Sequence, residues 1–160
     1  MQNKSNTLKV YVWLKNDEHV GHASLSFGSN YVSFWPEDGA SKKDLKIKRS
    51  HPGSFIDALH EDIRNEGGRQ PTIVMIDKID SEKLEDFILD IQRNTPRYQL
   101  AKFNCSHVVA DCLKVACGKE PSFQPSAQEY GRLGKLMGRG IWTPTQVLMY
   151  ARELSDQQQG

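Results

Sequence analysis

The pattern of apolar and polar positions divides the chain into short strands followed by amphipathic helices. Leu8 to Leu14 alternates in part and reads as a first strand, broken by Asn16-Asp17-Glu18. His22 to Phe27 and Tyr31 to Trp35 are two short runs around Gly28-Ser29-Asn30, a hairpin signal, and Pro36 ends the second run. Glu37 to Pro52 is polar, lysine-rich and expected to be a long loop. Ser54 to Asn65 is predicted as a helix capped by Ser54, with Phe55, Ile56, Leu59 and Ile63 on one face and Gly67-Gly68 as its stop. The β-branched run Thr72 to Ile76 is expected to be a buried strand. Asp80 or Ser81 caps the next helix, whose Leu84, Phe87, Ile88 and Ile91 form a stripe that ends before Thr95-Pro96.

Tyr98 to Leu100 is expected as a short strand leading into Phe103-Asn104-Cys105-Ser106-His107. The helix after Asn104 carries Val108, Val109, Cys112, Leu113 and Ala116, with Gly118 as its terminator. A Pro- and Ser-rich stretch from Glu120 to Ser126 precedes a short predicted helix, Ala127 to Leu136. The last helix starts with Thr143 as N-cap and Pro144 at its first position, and buries Val147, Leu148, Tyr150, Ala151 and Leu154. Residues 1–6 and Ser155 to Gly160 are expected to be disordered tails. Neither a repeat nor a dividing linker interrupts this order. The expectation is therefore one domain over 1–160, of α+β class, with a small antiparallel sheet packed against the helix that begins near Cys105.

Composition narrows the function. The 160 residues are 38% hydrophobic and 26% charged, an ordinary globular balance. The formal net charge of +1 gives no overall attraction to nucleic acid or to an acidic membrane. The basic cluster Lys42 to Arg49 lacks interleaved aromatic residues and reads as a solvated loop. No apolar run approaches the roughly 20 residues of a membrane span, and the N-terminus lacks the apolar core of a secretory signal. Synthesis in the cytoplasm follows, with a signal-independent route required for any action elsewhere. Cys105, Cys112 and Cys117 are odd in number and carry no zinc-ligand spacing, so neither a disulfide framework nor a metal or cofactor is expected.

Cys105 is the expected nucleophile. Asn104 is a good N-cap, which puts Cys105 in the first helical turn, where unpaired amides and the helix dipole favour a thiolate over the thiol of a free cysteine, with its pKa of about 8.5. Cys112 belongs to the apolar stripe and Cys117 to the helix end, so both are expected to pack. Of five histidines, His107 is too near Cys105 on the same helix to face it, His60 lies on a polar helix face and His51 lies in a Ser-His-Pro-Gly turn. His19 precedes the second strand and His22 starts it, so the more rigidly held His22 is the expected base. With a two-residue turn at Gly28-Ser29, Ser33 and Trp35 share His22's face, and Ser33 is the expected orienting group, with Glu37 and Asp38 as alternatives.

Gly21-His22-Ala23-Ser24-Leu25, Tyr31 to Pro36 and Asn104 to Val109 resemble the permuted papain-like superfamily, which includes circularly permuted NlpC/P60 enzymes and lecithin:retinol acyltransferase-like proteins. There a strand histidine precedes a helix-start cysteine, the order found here. Together with Glu61-Asp62-Ile63, Gly67-Gly68, Trp142-Thr143-Pro144 and Val147 to Ala151, the set is similar to small bacterial domains among type VI and related secreted effectors. The resemblance spans Val10 to Leu154 and carries over His22 and Cys105 alone. It implies a permuted papain-like fold and a cysteine hydrolase acting on a peptide or amide bond, in cell-wall peptide or a target protein, with a cognate immunity protein as partner. An acyltransferase or thioesterase, and a glutamine deamidase, would use the same dyad. The acyltransferase branch often carries a second histidine on the following strand, where this chain has Ser33, Phe34 and Trp35. A non-enzymatic interaction module is the remaining class.

Overall fold

The structure is a computed structural model that describes residues 7–37, 51–99, 103–125 and 141–159. Five antiparallel strands, β1 (Leu8–Trp13), β2 (His22–Phe27), β3 (Asn30–Pro36), β4 (Gly53–Ile56) and β5 (Thr72–Ile76), form one sheet in the order β4-β3-β2-β1-β5. Four helices are present among the described residues: α1 (Leu59–Asn65), α2 (Ser81–Arg93), α3 (Cys105–Cys117) and α4 (Pro144–Gln159). The α+β class and the small antiparallel sheet are as the sequence predicts. The helix expected at Ala127 to Leu136, the cluster Lys42 to Arg49 and residues 1–6 lie outside the described residues.

Register explains why the sheet has two unlike faces. Val10 pairs with Leu25 and with Val74, and Leu25 pairs with Val32, so the strand alternation puts these side chains on one apolar face. Helices α3 and α4 cover that face, and α2 packs behind α3. Leu25, Ile76, Leu84, Ile88 and Leu113 are removed from water altogether, each burial stabilising by about 1.5–3 kcal/mol. The intervening positions, Tyr11, Trp13, His22, Ser24, Tyr31, Ser33 and Trp35, form the opposite, polar-aromatic face.

Three expectations are corrected. Gly53 to Ile56 is a strand, because its backbone pairs with β3 from Pro36↔Gly53 to Ser33↔Ile56; the helix starts only at Leu59, after Ala58, with no side-chain cap. Among the described residues Thr72 to Ile76 is an outer strand paired only with β1, and Val74 and Ile76 are buried while Ile73 and Met75 are about half exposed. The C-terminal segment is helical through Gln159. Ser155 Oγ donates to the Met75 carbonyl, and the Gln158 amide oxygen accepts from the N–H groups of Asp77 and Lys78, which docks this end on β5 and its exit.

Other signals translate directly. Asp80 caps α2 by accepting the Lys83 N–H at 3.1 Å, and Gly118 closes α3 in the left-handed conformation at φ +66°. The two-residue turn Gly28-Ser29 sets the β2–β3 register through Phe27↔Asn30.

Candidate functional site

His22 is the first residue of β2, and its side chain is fully buried on the polar-aromatic face. The preceding Gly21 has φ +91°, and a Cβ there would fall 2.6 Å from the Trp13 carbonyl oxygen. Only glycine lets the chain enter β2 this close to β1. The imidazole then lies between two indoles, stacked on Trp35 at 4.5 Å between ring centroids and tilted against Trp13 at 5.7 Å.

Its Nε2 is directed at two groups. Ser33 Oγ lies 2.8 Å away and Asp62 Oδ2 lies 3.4 Å away. Asp62 comes from α1 and is itself fully buried. It accepts the Tyr31 hydroxyl at Oδ2 and the Trp35 Nε1–H at Oδ1, the latter at 2.8 Å. The same Trp35 N–H is shared with Ser33 Oγ at 3.0 Å, and Ser24 supports the Tyr31 hydroxyl from 2.7 Å. Burial by itself raises the pKa of a carboxyl group. Here attraction to His22 and hydrogen bonds with His22, Ser33 and Tyr31 outweigh burial and hold Asp62 down at about 2. Burial and the Asp62 charge together push the Tyr31 phenol above its ordinary range, so it stays a donor. Acceptors at Nε2 favour a proton on that nitrogen.

Ser33 is therefore beside His22, as predicted. The carboxylate in this cluster is Asp62, and neither predicted alternative supplies it: Glu37 is an exposed residue whose N–H donates to the Pro52 carbonyl, and Asp38 lies outside the described residues. Asp62 did leave a sequence signal. It follows Leu59 by three residues, and so shares the side of α1 that an apolar stripe marks as inward-facing. A carboxylate there needs several donors, and Tyr31 and Trp35 supply them.

Cys105 is the first residue of α3, on the helical layer covering β2 and β3, and 3% of it is exposed. Asn104 caps the helix through Oδ1, which accepts the N–H groups of Ser106 at 2.8 Å and His107 at 3.2 Å. The Asn104 amide nitrogen donates to the Trp142 carbonyl at 2.9 Å. Two residues farther along, Pro144 Cγ stands 3.1 Å from where a Gly21 Cβ would sit. The segment Trp142 to Pro144 thus touches both the turn bearing Cys105 and the residue preceding His22. His51 is corrected: instead of a loose turn it occupies a buried bridge, exchanging backbone hydrogen bonds of 2.7 Å with Tyr98. Burial raises the thiol pKa of both Cys112 and Cys117, in keeping with packing residues.

Among the described residues, no three His, Cys, Asp or Glu side chains are grouped so as to hold a metal ion, and no helix is long and apolar enough to cross a membrane. Comparisons of the chain with protein-family models, with curated proteins and with solved structures gave no match.

Proposed function

We propose that the chain is a cysteine hydrolase of the permuted papain-like kind, cleaving a peptide or amide bond with Cys105 as nucleophile and His22 as base. The observation that carries this reading is the anchoring of His22 Nε2 by Ser33 and Asp62, a burial of polar groups that fits an imidazole aimed for proton transfer. Trp142 to Pro144 adjoins both the Cys105 turn and Gly21, which supports an approach of the two groups at the same end of the sheet, His22 from the polar-aromatic face and Cys105 from the helical layer on the other. In the proposed reaction His22 takes the thiol proton and the Cys105 thiolate adds to the carbonyl carbon. The imidazolium protonates the departing amine as the C–N bond breaks. Water, deprotonated by His22, then cleaves the thioester and restores the thiol. Backbone N–H groups near Cys105 other than those of Ser106 and His107, which Asn104 Oδ1 accepts, are the proposed donors to the oxyanion.

The proposed setting is a bacterial antagonistic effector acting on cell-wall peptide or a target protein and paired with an immunity protein. Expression in a bacterial cytoplasm and, separately, with export to the periplasm tests both claims. Toxicity that needs export indicates a cell-wall substrate; toxicity without it indicates a cytoplasmic one. Cys105→Ala and His22→Ala should each abolish it, and full toxicity of both variants ends the dyad proposal. Mass spectrometry of the modified target separates bond cleavage from acyl transfer and from glutamine deamidation.

One observation favours the non-enzymatic reading: Cys105 is almost completely covered and belongs to the core cluster. Thiol labelling decides between the two. A nucleophile alkylates near neutral pH far faster than Cys112 or Cys117, whereas equal, slow labelling of all three supports an inert core thiol.

A further inference from the structure

The residues on either side of Cys105 form a two-way clasp. Asn104 holds the first turn of α3 through Oδ1 and reaches across to the Trp142 carbonyl through its amide nitrogen. His107 completes the turn in the other direction, its Nδ1 accepting the Asn104 N–H at 3.2 Å. The other ring nitrogen lies 3.4 Å from the Trp142 N–H. A neutral imidazole accepts at one nitrogen only. The shorter contact, at Nδ1, is the hydrogen bond, and the Nε2 contact is packing against the same residue. Phe103 stacks on the His107 ring at 5.7 Å, and Trp142 is in turn held among Phe123 and Tyr150.

An N-cap needs only Asn104. The reciprocal bond from His107 adds something else: it fixes the Asn104 backbone, and so fixes both ends of the single residue between Asn104 and Ser106. The partner of this clasp, Trp142, leads directly to Pro144, which abuts Gly21 and the entry to His22. We infer that His107 is a positioning residue for the Cys105 thiol, holding the nucleophile's turn in register with the strand that carries the base. The inference rests on Cys105 being the nucleophile, and it gives the histidine of Asn-Cys-Ser-His a role that proton transfer does not.

The test compares His107→Ala with His107→Gln, because glutamine at this third helical position can accept the N-cap N–H and complete the same box. His107→Leu, which keeps packing on Phe103 without an acceptor, replaces the alanine variant should that one unfold. Two quantities are read on purified protein at pH 7: iodoacetamide alkylation of Cys105 relative to Cys117, and hydrogen exchange of the Ser106 and His107 amides. Loss of the acceptor should slow Cys105 alkylation about tenfold and speed exchange of those amides, with glutamine recovering both to within about threefold of wild type. Wild-type alkylation in a folded alanine or leucine variant, or no recovery with glutamine, overturns the inference and leaves Cys105 as nucleophile untouched. Wild-type Cys105 labelling no faster than Cys117 overturns the nucleophile itself, and His107's positioning role with it.

Discussion

Asp62 on α1 stands 3.4 Å from Nε2 of His22 on β2, and neither side chain has any contact with solvent. The pair is costly to bury, and two aromatic donors offset the cost on the carboxylate side. Tyr31 and Trp35 alternate with Ser33 along β3, so one strand presents three donors toward one acid. Strand alternation makes this possible, since it brings side chains at every second residue to one face.

Asp62 is held at about 2 against an ordinary 3.8, so the folded state binds its proton less readily than the unfolded state. A carboxyl depressed in this way stabilises fully above the unfolded value, and that stabilisation is lost as pH falls through the folded one. Wild type should therefore lose about 2 kcal/mol between pH 4 and pH 2 from this group, by the usual 1.4 kcal/mol per unit. Asp62→Asn should lack that component while being less stable at pH 7 by about 3 kcal/mol, because buried donors lose their anion. Urea unfolding as a function of pH measures both, and parallel profiles for the two proteins contradict the assignment.

Ser33 and Trp35 make separable contributions to His22. Trp35→Phe keeps an aromatic ring against the imidazole but deletes the N–H shared by Asp62 and Ser33. A loss of about 1–3 kcal/mol in stability is expected from the unsatisfied carboxylate. Ser33→Ala removes the group nearest Nε2 at 2.8 Å and leaves Asp62 to Tyr31 and Trp35. On the proposed hydrolase reading its main effect should fall on turnover, by about tenfold to a hundredfold, with a smaller change in melting temperature. Turnover equally insensitive to both substitutions would exclude an orienting role for this cluster.

The two halves of the candidate site differed in how far the sequence revealed them. His22 and Ser33 were readable because a two-residue turn fixes the register, and register fixes which side chains share a face. Asp62 left only its spacing from Leu59, because its position against His22 depends on where α1 begins. Phe55 and Ile56 continue the spacing of Leu59 and Ile63 and mimic one helical stripe, yet they belong to β4. Local periodicity cannot register pairing with β3, which is long-range and decides the matter. His51 was misread for a similar reason: Ser-His-Pro-Gly is turn chemistry by composition, and a bridge to the distant Tyr98 overrides it. Caps and terminators, from Asp80 to Gly118, were legible because their interactions are local.

The end of α4 should contribute measurable stability despite its polar sequence. Gln158 accepts from the Asp77 and Lys78 N–H groups and donates to the Lys78 carbonyl, closing the exit of β5. Gln158→Ala removes all three bonds and should lower stability by about 1 kcal/mol, given their partial exposure. Thermal melts check this, and faster hydrogen exchange at Asp77 and Lys78 locates it. An unchanged melt with unchanged exchange would mean that the docked end adds nothing.

Gly21 offers the sharpest test of how His22 is aimed. Its φ of +91° is a conformation that side-chain-bearing residues rarely adopt, and a Cβ would lie 2.6 Å from the Trp13 carbonyl oxygen and 3.1 Å from Pro144 Cγ. The first of these is backbone in a paired strand and cannot swing aside. Gly21→Ala should therefore cost about 1–3 kcal/mol and displace the start of β2 from β1 or from Pro144. Because His22 is the next residue, the shift should loosen its contacts with Trp13 and Ser33. The imidazole resonances of His22, followed by NMR in wild type and variant, report that shift directly. Unchanged His22 resonances and an unchanged melting temperature would show that this glycine does not position His22. A large resonance change with modest destabilisation would identify the tight entry at Gly21 as the device that aims it.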